Sequence, residues 1–384
     1  MMPNRRSVLT NRRQHEPWSA RASKGAHVKS SFFKGRRSVE IGTDGIRLTA
    51  TEEGGQVAEL LHIKSGVSPL YVPEWPSVEP SEYSAKLDGR YGQNAESRLV
   101  ASLLGHSICL DVFGTPGVEE IAAGIPVHGE ASIARYVLEP TDDSVHMSAS
   151  LPNAQMAFRR RIDLAENGLV HFYESVENLA STDRPIGWTQ HVTLGPPFLE
   201  RGTTHFSVSA KESKVLGQNF NNGLGMQEPD ATFEWPFCPR KDGTVEDLRT
   251  FTTDAVSGGF TAHRMDPNTP HAFFIAWSER FKLAFGYVWR REDFPWLSRW
   301  EENHLRPWAP WNSQALALGM EFGVSPMVES RREMVERGRM FDTPTFRWIP
   351  ARTKLSVEYC AFLREAVDMP RSLTWDGGNS LELH

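Results

Sequence analysis

Glu321 is the only charged residue in the apolar run Ala315-Leu316-Ala317-Leu318-Gly319-Met320-Glu321-Phe322-Gly323-Val324. Taking a carboxylate out of water is costly unless the group is paired or functional. Glu321 is therefore the first candidate for chemistry, as a general base, with a structural salt bridge to an arginine as the alternative. His191, in Gly187-Trp188-Thr189-Gln190-His191-Val192-Thr193-Leu194, is the candidate acid. Strand alternation sets Thr189, His191 and Thr193 on one face and Trp188, Gln190, Val192 and Leu194 on the other. A carboxyl group and an imidazole suit paired acid–base work because both can be tuned close to neutral pH. His128 precedes Gly129, a residue that lets backbone approach a ligand closely. It is assigned to substrate binding, and His106 in Leu104-Gly105-His106-Ser107 is added to the same cleft. The same His128, His191 and Glu321 are also the makings of a two-histidine, one-carboxylate iron site. No HxH is present and no two of the three lie at short ligand spacing, so neither a metal nor an organic cofactor is expected.

The elements that must position these residues read as strands. The segment 39–48 alternates on both sides of Asp44-Gly45, a hairpin signature. Further alternating or apolar segments of strand length cover 107–113, 134–138, 145–151, 156–164, 168–178, 188–194, 205–209, 259–265, 272–279, 282–289, 315–324, 345–349 and 354–363. So many strands with so little helical periodicity predict an all-β sandwich or barrel. One helix is expected from Pro326 to Arg337, capped by Ser325 and closed by Gly338, with its Arg and Glu side chains paired along a solvated face. The Pro/Trp-rich stretch 294–311 reads as a long loop.

Charge is distributed unevenly. Residues 1–37 carry ten Lys and Arg against one acid, Glu16, and read as a disordered basic extension; the rest holds 32 basic against 47 acidic side chains. A body that acidic is a poor nucleic-acid binder. No apolar stretch approaches the roughly 18 residues needed to span a bilayer. Cys109, Cys238 and Cys360 are far apart, with no CxxC, and read as buried reduced thiols in a cytoplasmic protein. One large domain is expected over 38–370, followed by a tail over 371–384.

Four segments, in order, resemble the aldose 1-epimerase (galactose mutarotase-like) superfamily. They are Gly124-Ile125-Pro126-Val127-His128-Gly129-Glu130-Ala131; Glu177-Asn178-Leu179 followed by Trp188-Thr189-Gln190-His191-Val192-Thr193-Leu194-Gly195; Leu318-Gly319-Met320-Glu321-Phe322-Gly323; and Thr353-Lys354-Leu355-Ser356-Val357-Glu358-Tyr359. The resemblance implies a β-supersandwich of one large domain and an enzyme that interconverts sugar anomers by ring opening, with Glu321 as base, His191 as acid and His128 on the substrate. It implies a small-molecule sugar as the partner. Arg98 and Asp254 are the candidates for the family's further arginine and aspartate, and Trp188 is added as a substrate contact. Twelve tryptophans support a sugar site, since indole rings stack on the C–H faces of pyranoses. Six of them, Trp277, Trp289, Trp296, Trp300, Trp308 and Trp311, fall within 35 residues. Trp277 and Trp289, on strands, are expected in the core; Trp300 or Trp308, in the loop, is the expected platform. A non-catalytic sugar-binding protein with the same cleft is the alternative outside enzymology.

Overall fold

The computed structural model describes residues 27–384, apart from 85, 87, 88, 142, 166, 218 and 219. Two antiparallel sheets make up the body. The larger has twelve strands and the smaller eight. Five adjacent strands of the large sheet matter most here: β1 (His106–Asp111), β2 (Arg184–Leu194), β3 (Ser257–Met265), β4 (Trp296–Asn303) and β5 (Leu316–Gly323), in the spatial order β1-β2-β5-β4-β3. A meander of four strands, beginning with His27–Phe33 and Arg36–Gly42, extends the sheet beyond β1. The small sheet is centred on Leu283–Arg290, Lys354–Glu365 and Leu169–Asn178.

Alternation along the strands decides which sheet face each residue serves. Trp188, Val192 and Leu194 of β2, Leu318, Met320 and Phe322 of β5, and Ile108 and Leu110 of β1 are buried against the small sheet in the main apolar cluster. Burial of side chains this size is the principal favourable term in such a sandwich. A second, smaller cluster with Cys109, Phe260, Trp296, Trp300, Trp311 and Ala317 lies on the opposite face of the large sheet. Between the sheets sits one fully buried polar knot. Arg160 donates to Glu174 (2.7 Å), to the Gly55 carbonyl (2.8 Å) and to Gln190 (3.2 Å), so its charge is paired and its donors are used.

Several expectations need correction. The basic extension does not run to residue 37: His27–Phe33 and most of the next segment are strands, and Arg36 is fully buried. Its guanidinium donates to the Ser102 and Glu53 carbonyls and Gln56, and pairs with Glu79 at 3.2 Å. Residues 1–26 lie outside the described residues. The 371–384 tail instead forms a hairpin of Leu373–Trp375 and Leu381–Leu383, with Trp375 and Leu381 packed on the small sheet. The predicted 294–311 loop holds a strand, β4, whose charged residues are buried in pairs such as Arg299–Glu301. The helix is shorter than expected, α2 at Arg331–Arg337; its cap is Ser330, whose side chain bonds the Glu333 backbone and carboxylate. Arg331 and Arg332 pair with other elements, with Asp111 and Glu119, while Arg337 pairs with Glu329 just before the helix, within the segment as expected. All three cysteines are buried and free. Among the described residues no helix is long and apolar enough to cross a membrane.

Candidate active site

The face of the large sheet that turns away from the small sheet forms the floor of a cleft of about 700 Å³. His191 on β2 and Glu321 on β5 are directly opposite each other in the strand register, and both line it. His191 Nε2 lies 3.2 Å from Glu321 Oε1. The approach is close without being an aligned hydrogen bond, since Oε1 has no aligned partner among the described residues. A buried carboxyl oxygen in that state is one that a ligand hydroxyl would satisfy. No arginine pairs with Glu321 among the described residues; its contact is His191. Gly319 makes room for the carboxyl group, because a Cβ on that residue would stand 2.2 Å from Glu321 Oε1.

Electrostatics at this pair favour the uncharged forms. Burial pushes the Glu321 carboxyl well above the usual carboxylate range and pulls His191 down to about 4. His191 Nδ1 is 3.1 Å from the Thr193 hydroxyl, which anchors the ring from the same strand face.

His128 enters the cleft from the segment after β1. Both it and Gly129 have positive φ, 60° and 79°. A Cβ at Gly129 would stand 1.8 Å from the Leu110 carbonyl, so only glycine lets this turn pack against β1. The backbone N–H of Gly114 donates to His128 Nδ1 at 3.2 Å, and the Cys109 thiol lies 3.0 Å from the same atom. With Nδ1 accepting, the neutral ring carries its proton on Nε2. Burial and the nearby His191 hold His128 at about 3, so it stays a neutral donor. Its ring meets that of His191 edge-on at 5.4 Å.

The aromatic wall is built by Trp300 of β4, Phe260 of β3 and Trp311, all lining the cleft. Trp300 lies 6.2 Å from the His191 ring and 5.9 Å from Trp311. Arg306 lies against both indoles, 5.4 Å from the Trp300 centroid and 4.6 Å from that of Trp311. Of the sequence-predicted residues, the structure brings together Glu321, His191, His128 and Trp300. It places the others elsewhere. His106 pairs opposite Val192 and so faces the core, where Gln190 and Tyr287 engage its two ring nitrogens at 3.0 and 2.9 Å. Trp188 is fully buried on the core face and donates to Glu174. Trp308 is exposed and does not line the cleft. Arg98 sits on α1 (Ser97–Ala101); Leu99 and Val100 of that helix line the cleft, while Arg98 turns away to the Pro80 carbonyl. Asp254 is tied to Arg240 at 2.6 Å, outside the cleft lining. Trp277 and Trp289 are buried, as expected. Trp311 belongs to the tryptophan cluster visible in the sequence, whereas nothing in the sequence marks Arg306 or Phe260 as cleft residues.

His128, His191 and Glu321 share the cleft, yet among the described residues no three His, Cys, Asp or Glu side chains converge closely enough to hold a metal ion. Nδ1 of His128 is in any case engaged by Gly114.

This all-antiparallel supersandwich, with a cleft on the outer face of its larger sheet, has the galactose mutarotase-like fold of the solved structures on which it superposes. No family model matches the sequence, and no curated protein matches it. Solved structures do. A candidate aldose 1-epimerase from Klebsiella pneumoniae superposes with a TM-score of 0.65 at 13% identity, over 90% of this chain and 88% of that one. A galactose mutarotase-like protein from Clostridium acetobutylicum gives 0.58 at 12% identity, over 89% and 100%. A galactose mutarotase related enzyme from Lactobacillus acidophilus gives 0.56 at 10%, over 86% and 98%.

Proposed function

We propose that the cleft binds an aldose and interconverts its anomers, with Glu321 and His191 moving the protons. The observation that carries this reading is the 3.2 Å approach of the two side chains on paired strands at the cleft floor. Ring opening takes a proton from the anomeric hydroxyl O1 and gives one to the ring oxygen O5 as the C1–O5 bond breaks. The aldehyde then turns and the ring closes on its other face. O1 and O5 are bonded to the same carbon, so the two groups serving them must stand side by side. The pair holds one proton, which passes from Glu321 to His191 across the 3.2 Å between them; the carboxylate then accepts the proton from O1 while the imidazolium delivers the other to O5. The pair ends each passage with as many protons as it began, so neither group is left with an uncompensated buried charge. His128 donates Nε2–H to a sugar oxygen, and Trp300 offers its indole to a pyranose face.

The test is anomer exchange measured by NMR over a panel of free and phosphorylated aldoses. Glu321→Gln and His191→Asn should each lower turnover by about 100-fold or more while sugar binding is retained, since positioned acid–base groups contribute about 10²–10⁴. The double variant should be little worse than either single one. Near-normal turnover of a confirmed substrate by Glu321→Gln would overturn the reading. Tight binding without exchange by the unaltered protein would show a binding protein instead.

A further inference from the structure

The cleft is larger than one hexose. A monosaccharide of a dozen heavy atoms fills roughly a quarter of 700 Å³, a volume typical of sites for much larger ligands. The strand order shows where the surplus lies. From His191 on β2 the floor crosses to Glu321 on β5, Trp300 on β4 and Phe260 on β3. Each step is about 4.8 Å, so the floor continues for about 10 Å beyond Glu321. The continuation is aromatic, and Phe260 lies opposite Trp300 in the register.

Arg306 borders this second compartment with donors to spare. It is 13% exposed, lies against two indoles, and is tied through Nε to Asn221 (3.0 Å) and Glu302 (3.3 Å). Among the described residues no hydrogen bond uses its Nη1 or Nη2. An immobilised guanidinium beside an aromatic floor matches a pyranose, which offers apolar C–H groups on its face and hydroxyls on its rim. Glu302 already balances the arginine's charge, which favours a neutral partner over an anion.

We propose that the cleft takes a reducing disaccharide or longer oligosaccharide. Its reducing unit lies over His191 and Glu321 with one face toward Trp300, and its next unit lies beyond Trp300 on the Phe260 side, with hydroxyls on the Arg306 Nη atoms. The proposal rests on the anomer-exchange reading for the orientation of the reducing end. The experiment uses the full chain and titrates intrinsic fluorescence with glucose and galactose against maltose, cellobiose and lactose, with anomer exchange followed by NMR in parallel. At least one disaccharide should bind about tenfold more tightly than its component monosaccharides. Arg306→Leu and Phe260→Leu should each cut that ratio about threefold to tenfold, the worth of one stacked or hydrogen-bonded sugar face. Phe260→Leu keeps an apolar side chain, and melting curves establish that each variant is folded. Equal affinity for mono- and disaccharides, or an advantage unchanged in both folded variants, overturns the proposal. Exchange without a disaccharide advantage overturns it and leaves the anomer-exchange reading standing. A disaccharide advantage without exchange does the reverse.

Discussion

Glu321 holds a carboxyl group where burial opposes its charge and where its oxygen has no aligned partner, so small displacements there should be costly in rate and cheap in stability. Gly319→Ala is the sharpest probe. The new Cβ would meet the far end of a flexible side chain, not backbone, so the protein should stay folded while the carboxyl group is pushed aside. Turnover should fall by about 10²-fold, the usual consequence of a misplacement near 1 Å, with the melting temperature nearly unchanged. Unaltered turnover would show that the carboxyl position is unimportant. The pH profile follows from the same pair. Activity needs one proton on the pair, so kcat/KM should drop below about pH 4, where His191 takes up a second. On the alkaline side it should fall as the raised Glu321 carboxyl finally loses its proton. The linkage to stability has the corresponding sign. A carboxyl whose pKa is raised by folding stabilises while protonated, and that contribution is lost as pH rises through its folded value. Glu321→Gln should therefore gain melting temperature relative to the parent as pH increases. A constant difference from pH 4 to 9 would contradict this.

At the scale of elements, the cleft depends on short pieces docked onto β1, β2 and β5. Asp111, the last residue of β1, has φ 83° and accepts a two-pronged bond from Arg184 (2.8 and 2.7 Å) and one from Arg331 of α2 (2.5 Å). One buried carboxylate thus ties β1 to β2 and to α2, whose N-terminal residues line the cleft. Asp111→Ala should cost about 2–4 kcal/mol, because two guanidinium groups lose their acceptor. It should also weaken sugar binding, and denaturant titration alongside fluorescence would show both. The legibility of these elements varied with how each strand is buried. β2 could be read because one face is apolar and the other polar, and the same alternation correctly separated His191 from Trp188. β4 could not. It is buried on both faces, and Arg299, Glu301 and Glu302 are hidden in pairs, so its sequence has no period and looks like a loop. His106 was misplaced for a subtler reason. Only the register opposite Val192 shows which face it serves, and register is set by contacts distant in sequence.

At the scale of the molecule, the lower boundary of the fold lies nearer the N-terminus than its basic composition suggests. Arg36 looks like one more charge in a cationic segment, but Glu79, Gln56 and two carbonyls from other parts of the chain enclose it. Truncation before His27 should leave the melting temperature unchanged. Truncation through Arg37 should lower it markedly, since removing one partner of a buried pair alone costs about 3–5 kcal/mol. Equal melting of the two truncated proteins would show that the first two described strands add nothing. The larger sheet, finally, divides its labour by residue parity. On β2 and β5 the residues at 188, 190, 192, 318, 320 and 322 answer to the opposite sheet, while 191 and 321 answer to the cleft. Inheritance can therefore act on the two faces separately. A lineage can exchange the side chains that line the cleft without renegotiating the interior, and can rework the interior without altering the cleft. Such a scaffold can keep its shape while little of its sequence is shared, as the superposition of this chain on structures at 10–13% identity illustrates.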